Sequence, residues 1–399
     1  MKYSVAIIGG GFSGLCASVR LGKSLNEKVL VLEGNKRVGK KIIATGNGQG
    51  NLTNVNVDAK FYHGDQAFAF NALSRYSNRA LIEFFENLGL ITDEYMGKVY
   101  PASFTASSIT DVLRFELERL KVTVKTETYV TKITKDRDFK IECENGEIYF
   151  ADKVICAFGG KSGAGFLTDG KSYKLLTNLG HSLTSLFPSL VQLKCEKEKI
   201  KGLKGIKQEA KVGLYDDKQH IVTFDGDILF TDYGVSGNAI FSLSAYLKCL
   251  KNPRIKIEFL PTISREVLTE KLTKKCTMKV EWEKLLISVL PTRLALAVLK
   301  SCDLNHLEIA SSNKIKKLVD EIKRFELNIV GTAGFENSQV TAGGISTKEI
   351  TANMQSKLVK GLYVIGEALD VDGDCGGYNL QWAFTSAMVA TEDILNAKN

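Results

Sequence analysis

Residues 3–33 read YSVAIIGGGFSGLCASVRLGKSLNEKVLVLE. Val5, Ile7 and Ile8 form a short apolar run that suits a strand buried on both faces of a parallel sheet. Gly9, Gly11 and Gly14 follow with the spacing G-x-G-x-x-G, then small and apolar residues at helical spacing (Leu15, Ala17, Val19, Leu21). A second apolar strand, Lys28–Leu32, ends in Glu33. Gly9 permits a tight strand-to-helix turn, Gly11 lets a pyrophosphate approach the backbone, and Gly14 lets the helix pack on the strand. The helix N-terminus offers N–H groups and partial positive charge to phosphate. Glu33 lies about twenty residues beyond the glycines, where a carboxylate accepts both hydroxyls of a ribose. A bare glycine motif also describes a ligand-free turn. Here strand, glycines, helix, strand and acid occur in the order that dinucleotide binding requires.

The rest of the chain is compatible with a soluble globular protein. At 399 residues it exceeds one ordinary core, so about two or three domains are expected. Its 44% hydrophobic and 25% charged residues, without low-complexity tracts, are ordinary for a globular protein. Only 5 prolines against 35 glycines point to long regular elements joined by tight turns. The net charge of +8 could suit nucleic acid or a membrane surface, but lysines and acids are interleaved, as on a solvated face. The 8 cysteines are scattered without C-x-x-C, several within apolar stretches, and no signal peptide is evident; both point to the reducing cytoplasm. No apolar run approaches membrane-spanning length. The 4 histidines lie far from one another and from cysteine, so no metal site can be read.

Asn35–Asn54, NKRVGKKIIATGNGQGNLTN, directly follows Glu33 and should lie beside the nucleotide. Its lysines, Lys41 among them, could neutralise phosphate, and Gly46 and Gly48 would let backbone approach a flat ring; a loop this long is more often functional than plain surface. Periodicity predicts helices over 67–88 and 106–120. Short strands are expected over 122–129, 130–134, 139–143 and 147–150, with a turn at Asn145-Gly146. Strand 153–158 closes on Gly159-Gly160, where the backbone would pass the cofactor again. A helix over 172–179 precedes His181, read as a helix-end histidine satisfied by a carbonyl rather than a catalytic base.

From about Leu190 short alternating strands dominate (210–215, 220–223, 228–230, 255–259), with turns at Asp216-Asp217 and Asp225-Gly226, as in an antiparallel sheet or small barrel. Helices follow over 266–275, 282–289, 292–302 and 313–322, and a return strand over 329–341. The chain then comes back to the cofactor: strand 362–365, Gly366-Glu367, an acidic stretch and a helix from Asn379 to Leu395. Asp370, Asp372 and Asp374 have the opening spacing of a calcium loop, but Cys375 and Gln381 stand where glycine and glutamate are needed, so that reading fails. Backbone N–H groups near Asn379 and Leu380 would instead meet a flavin carbonyl and stabilise the charge of reduced flavin.

These stretches carry a resemblance. Gly9–Gly14, Thr45-Gly46-Asn47-Gly48 with Asn51–Asn54, Val99-Tyr100-Pro101, Ala157–Gly160, Phe230-Thr231 with Gly234–Gly237, Thr341–Gly344 and Gly361 through Ala383 resemble, in order and over nearly the whole chain, the HI0933-like family of flavoproteins, which includes bile-acid-inducible (BaiN-type) members. The resemblance implies an α/β fold: a Rossmann-like FAD-binding domain in discontinuous segments, an inserted β-barrel-like domain and a helical subdomain. The corresponding boundaries are 1–189 (FAD domain), 190–262 (β insert), 263–324 (helical), 325–342 (return strand of the insert) and 343–399 (FAD domain). It implies FAD contacts at Ser13, Glu33, Lys41, Thr45, Asn51, Val130, Gly366, Glu367, Asp370, Asn379 and Leu380. Gly9, Gly11, Gly14, Gly46, Gly159 and Gly377 join them from the reading of the glycine turns. One departure stands out: the family loop usually carries Arg-Cys where this chain has Gln49-Gly50.

The leading expectation is a cytoplasmic FAD-dependent oxidoreductase, reduced by NADH or NADPH, that passes a hydride to an activated C=C of an enone, steroid- or bile-acid-like. No second G-x-G-x-x-G is convincing, so nicotinamide would bind transiently over the flavin. A proton donor is needed; Tyr378 and Tyr233 come into question, neither singled out, and the catalytic residues stay unassigned. Two alternatives remain open: a flavin-dependent RNA-modifying enzyme, suggested by the lysine-rich 194–211 segment, and a non-enzymatic flavin-bound sensor. Partners are a small organic substrate, with no membrane and nucleic acid disfavoured; sequence gives no oligomeric state.

Overall fold

The computed structural model describes residues 2–25 and 28–397. The chain forms two compact units, Met1–Pro188 with Ser338–Asn399, and Ser189–Asn337.

The first unit is built on a mixed seven-stranded sheet. Its first strand, Lys2–Ile8, lies between Val29–Leu32 and Ile148–Cys156, parallel to both, and Leu362–Val364 pairs in parallel beyond Ile148–Cys156. Val5–Ile8 and Val29–Leu32 are wholly buried, which explains their unbroken apolar sequence: a parallel strand covered on both faces has no polar side to alternate with. The register fixes the site. Ile8 stands opposite Leu32 and Cys156, and Cys156 opposite Val364. The residues that follow, Gly9, Glu33, Ala157–Gly160 and Ile365-Gly366, therefore leave the same edge of the sheet. That edge, at the carboxyl ends of parallel strands, is where such folds take their ligands. Val130–Lys135 and Phe139–Cys143 extend the sheet antiparallel.

The helix after the glycines spans Phe12–Leu25, and the final helix spans Tyr378–Asn396. Trp382 on the final helix donates its indole N–H to the Gly366 carbonyl at 3.0 Å, and the Ser386 hydroxyl accepts the Gly366 N–H at 2.9 Å. The end of the chain thus clamps the turn of its own last sheet strand.

Ser189–Asn337 holds a closed antiparallel barrel of Leu193–Cys195, Gly234–Ser236, Gln219–Phe230, Lys207–Asp216, Pro253–Phe259 and Phe325–Thr332. Closure leaves no unpaired edge. Helices Arg265–Cys276, Trp282–Leu285, Thr292–Ser301 and Ile315–Ile322 lie in the same unit.

Several expected elements differ. The helix expected over 67–88 is two, Gln66–Arg75 and Asn78–Glu86, because the Tyr76 carbonyl leaves the helix ladder to accept from Gln381 Nε2 (3.2 Å) and Thr385 Oγ1 (2.7 Å). The strands expected over 147–150 and 153–158 are one, Ile148–Cys156. The turn expected at Asp225-Gly226 is absent: both lie inside Gln219–Phe230, and Gly226 is glycine because a Cβ there would press on the Ala239 nitrogen at 3.3 Å. The helix expected over 172–179 shrinks to Lys174–Thr177 after a 3-10 turn, and that over 282–289 to Trp282–Leu285. The return strand ends at Thr332, and Val340–Ala342 is a separate strand.

Gln381 is fully buried; its amide accepts from the Thr53 hydroxyl at 2.7 Å as well as donating to Tyr76. Replacing it with leucine, near in volume, leaves the Thr53 hydroxyl and one Tyr76 bond unmet. Gln381→Leu is expected to cost about 1–3 kcal/mol, read as a lower urea midpoint with an unchanged slope.

Candidate functional site

The three glycines of the first turn differ in what surrounds them. A Cβ at Gly9, whose φ is +104°, would meet the Ala157 carbonyl oxygen at 2.5 Å. A Cβ at Gly14 would collide with the Gly9 carbonyl oxygen. These two are required by the protein's own packing. At Gly11 a Cβ would meet nothing within 4 Å. The space over Gly11, at the N-terminus of the first helix, is left by the protein and suits a phosphate.

Glu33 is 8% exposed; Oε2 accepts the Gly10 N–H at 2.8 Å, and Oε1 accepts the backbone and side-chain N–H of Asn35 at 2.7 and 2.8 Å. A carboxylate with two oxygens retains acceptor capacity beyond these. Asn35 was missed in the sequence. It also donates to the Phe166 carbonyl at 3.0 Å, holding the 163–168 turn beside the acid. The Glu33 carbonyl accepts from Thr128 N–H at 2.9 Å, which brings the segment leading to buried Val130 alongside.

The 42–50 loop turns through left-handed residues, Gly46 (φ +57°), Asn47 (+55°), Gly48 (+86°) and Gly50 (+77°). Thr45 donates its hydroxyl to the Ile42 carbonyl at 2.6 Å, and its own carbonyl accepts the Gly50 N–H at 3.1 Å. Asn51 is buried, and its side-chain oxygen has no hydrogen-bond partner. The Asp370 Oδ1 is likewise buried and unmatched, near Gly64. Unsatisfied buried acceptors are costly and imply a donor from outside the chain.

Glu367 is the hub of the strand ends. Its Oε2 pairs with Lys41 Nζ at 2.7 Å, and Oε1 accepts the Thr341 N–H at 2.8 Å. A Cβ at Gly160 would meet Glu367 Oε1 at 2.8 Å, and one at Gly159 approaches Oε2 at 4.0 Å. Thr341, outside the expected set, accepts from the Lys161 and Ser162 N–H at 2.8 and 2.9 Å and so shapes the turn after Gly160. Ser13 packs against Gly366: a Cβ there would meet its Oγ at 2.8 Å.

The final helix begins at a turn of Gly376 (φ +133°) and Gly377 (φ +102°), the latter laid on Thr53, whose carbonyl carbon a Cβ would meet at 2.5 Å. The Asn379 side chain is a latch: it accepts from Gly373 N–H at 2.8 Å and donates to the Gly373 carbonyl at 2.7 Å. The backbone N–H groups of that first turn, Leu380 included, have no acceptor within the helix and face outward along its axis. His63 pairs with Asp374 at 2.7 Å. Burial works against the charged imidazole, but the hydrogen bond to Asp374 and the charges of Asp372 and Asp374 outweigh it and raise its pKa. Tyr378 is a packing residue: its ring stacks on Phe61 at 4.7 Å, and burial with the Asp374 charge pushes the phenol up to about 12. Tyr233 belongs to the other unit. His181 is satisfied by the Glu349 carboxylate (3.2 Å) and the Ser356 hydroxyl (2.9 Å), not by a carbonyl; burial outweighs the Glu349 charge and holds its pKa low.

With this geometry in view, the HI0933-like protein Rossmann domain matches residues 3–393. The chain belongs to the HI0933-like family. It is 36% identical to the 3-dehydro-bile acid delta(4,6)-reductase of Clostridium scindens, over 97% of each chain. It is 31% identical to the ribosomal RNA dihydrouridine synthase of Haemophilus influenzae, over 96% of each. In fold it is similar to the 3-ketosteroid delta1-dehydrogenase of Sterolibacterium denitrificans, solved with 1,4-androstadiene-3,17-dione (TM-score 0.52, 12% identity, 99% of this chain and 100% of that one). By these comparisons it is an oxidoreductase with the Rossmann-type fold of flavoproteins. At the family's Arg-Cys position, Gly50 lies against the helix Ser107–Arg119: a Cβ would meet Ile109 Cδ1 at 2.8 Å and the Ala106 Cα at 2.9 Å. The loop as packed has no room for a side chain there.

Two expectations follow. Gly11→Ala folds with a melting temperature near that of the parent but loses dinucleotide, whereas Gly14→Ala is destabilised by about 1–3 kcal/mol or more; calorimetry and cofactor content after gel filtration separate them. The His63 pKa is raised by folding, so its pairing stabilises fully below pH about 6.5 and less as pH climbs through the folded value. The melting-temperature gap between the parent and His63→Gln is therefore expected to be widest near pH 6 and to close toward pH 9.

Proposed function

We propose that this protein is an FAD-dependent oxidoreductase, reduced by NADH or NADPH, that saturates a carbon–carbon double bond conjugated to a ketone in a steroid- or bile-acid-like substrate. The observation that carries the reading is the full-length, 36% identical relationship to a bile-acid reductase. The site fits the cofactor: the open space over Gly11 takes the pyrophosphate, Glu33 the ribose hydroxyls, and Asn51 and Asp370 offer unmet acceptors. Lys41, held by Glu367, sets positive charge near the phosphates. Val130 would flank the adenine, Ser13, Thr45, Gly46, Gly159 and Gly366 bring backbone or small side chains up to the cofactor, and Gly377, Asn379 and Leu380 present the helix N-terminus to the flavin ring. When bound, FAD supplies the two-electron hydride chemistry. The protein's part is to orient the reactants, and the helix N-terminus favours developing negative charge.

The dihydrouridine synthase relatives favour a second reading, an RNA-modifying enzyme. Turning uridine into dihydrouridine also saturates a C=C conjugated to a carbonyl, so the two readings differ in substrate, not in bond chemistry. Against RNA, four of the seven lysines of the 194–211 segment lie beside acids: Lys199 with Glu321, Lys204 with Asp232, Lys207 with Asp227 and Lys211 with Asp225. All eight cysteines are free, six of them buried, which suits the reducing cytoplasm. Among the described residues no helix is long and apolar enough to cross a membrane.

Anaerobic mixing of the purified yellow protein with NADH or NADPH is expected to bleach the flavin, and a 3-oxo-4,6-diene steroid to restore its colour. Recolouring by uridine-containing ribosomal RNA alone, with steep salt dependence, would replace this reading by the second. Failure of both nicotinamides to bleach it would leave a flavin-bound sensor.

A further inference from the structure

The glycine turn before the final helix faces a group that the cofactor does not need. The strand Lys98–Pro101 runs antiparallel to Thr53-Asn54, with Thr53 opposite Val99, and Thr53 is the residue on which Gly377 lies. Lys98 and Tyr100, two residues apart on a strand, project from the same face. Lys98 reaches the turn: its Cε lies 3.8 Å from where a Cβ of Gly376 would be. Tyr100 is 8% exposed, yet its hydroxyl has no hydrogen-bond partner among the described residues and is not among the buried unsatisfied atoms. The ring is buried while its oxygen stays open, so the hydroxyl is free to donate to a group from outside the chain. Burial first, and the nearby Cys375 thiol second, raise its pKa, so it holds its proton at neutral pH.

The ring is held in place. Phe104 packs on it at 5.3 Å between centroids and does so from a left-handed backbone (φ +47°) that bulky residues avoid. The other ionisable groups at this turn are engaged or less open. Tyr378 is stacked on Phe61, His63 is paired with Asp374, and Cys375 is largely covered.

We propose that Tyr100 is the proton donor of the reaction, its hydroxyl delivering H⁺ to the substrate carbon adjacent to the one that receives hydride. The inference rests on the C=C-reductase reading above. The balance is complete with reduced flavin as the two-electron donor. Hydride arrives with its electron pair at the β-carbon, and the C=C π bond opens. The Tyr100 O–H bond breaks as the α-carbon gains its hydrogen. The phenolate regains a proton from solvent. The flavin is oxidised and the enone reduced.

The test uses holoenzyme carrying Tyr100→Phe, which keeps the ring against Phe104 and removes one oxygen. Flavin content and the rate of bleaching by the nicotinamide are expected to match the parent. Recolouring by a 3-oxo-4,6-diene steroid is expected to slow by about 10²–10⁴-fold, and Tyr100→His to recover part of that loss. Without turnover, titrating oxidised holoenzyme with the saturated 3-oxo steroid, followed by the shift of the visible flavin bands, should show binding about three- to tenfold weaker in Tyr100→Phe. Parent-like recolouring by Tyr100→Phe overturns the assignment. So does a comparable collapse in Cys375→Ser with Tyr100→Phe unaffected, which would give the proton to the thiol. If the parent itself is not recoloured by any dienone, the reductase reading fails and takes this inference with it.

Discussion

The carbonyl oxygen of Gly9 occupies the place where any other residue at position 14 would put its Cβ. That contact lets the first helix leave the first strand at a sharp angle and still pack against it. Everything at the site follows from where the turn ends. The parallel register then lines up three more strand exits with it, those at Glu33, Ala157 and Ile365. Four turns on one sheet edge make a cradle that no single motif could build.

The cradle is closed by the far end of the chain. Trp382 and Ser386 hold both backbone groups of Gly366, and Ser13 of the first helix presses on the same glycine. The first and last helices therefore both hold one turn. Gln381, one residue from Trp382, carries the same helix onto Thr53 and Tyr76. Buried polar contacts of this kind cost desolvation and return specificity of position, and here they set where the glycine turn at 376–377 must lie.

How much of this could be read from sequence follows from the range of each cause. The turn at Gly9 and the close pack at Gly14 were legible from local spacing, although the contact that bars a Cβ at Gly9 comes from distant Ala157. Glu33 was legible from spacing. Asn35 and Thr341 were not: Asn35 ties Glu33 to the Phe166 turn, and Thr341 holds the turn after Gly160, both contacts made far along the chain. The break at Tyr76 and the continuity through Gly226 had the same origin. In each, another element decided the backbone, Gln381 and Thr385 in one case and the paired strand Lys207–Asp216 in the other, and local pattern pointed the wrong way.

The loop at Gln49-Gly50 constrains the chemistry. Position 50 is backed against Ile109 and Ala106, so no side chain there can reach toward a substrate. A reductase that adds hydride to one carbon must still protonate its neighbour, and that proton has to come from groups that line the remaining surface. On this side of the cradle those groups stand on the strand Lys98–Pro101 and on the turn at Cys375, two elements tied together through Thr53. An open phenol oxygen on a buried ring, beside the Cys375 thiol, is well arranged for the task. The same chemistry would serve a conjugated steroid or a pyrimidine equally, since both need one hydride and one proton across a polarised double bond. Discrimination between them must therefore come from the shape and charge of what surrounds the reacting carbons rather than from the bond chemistry.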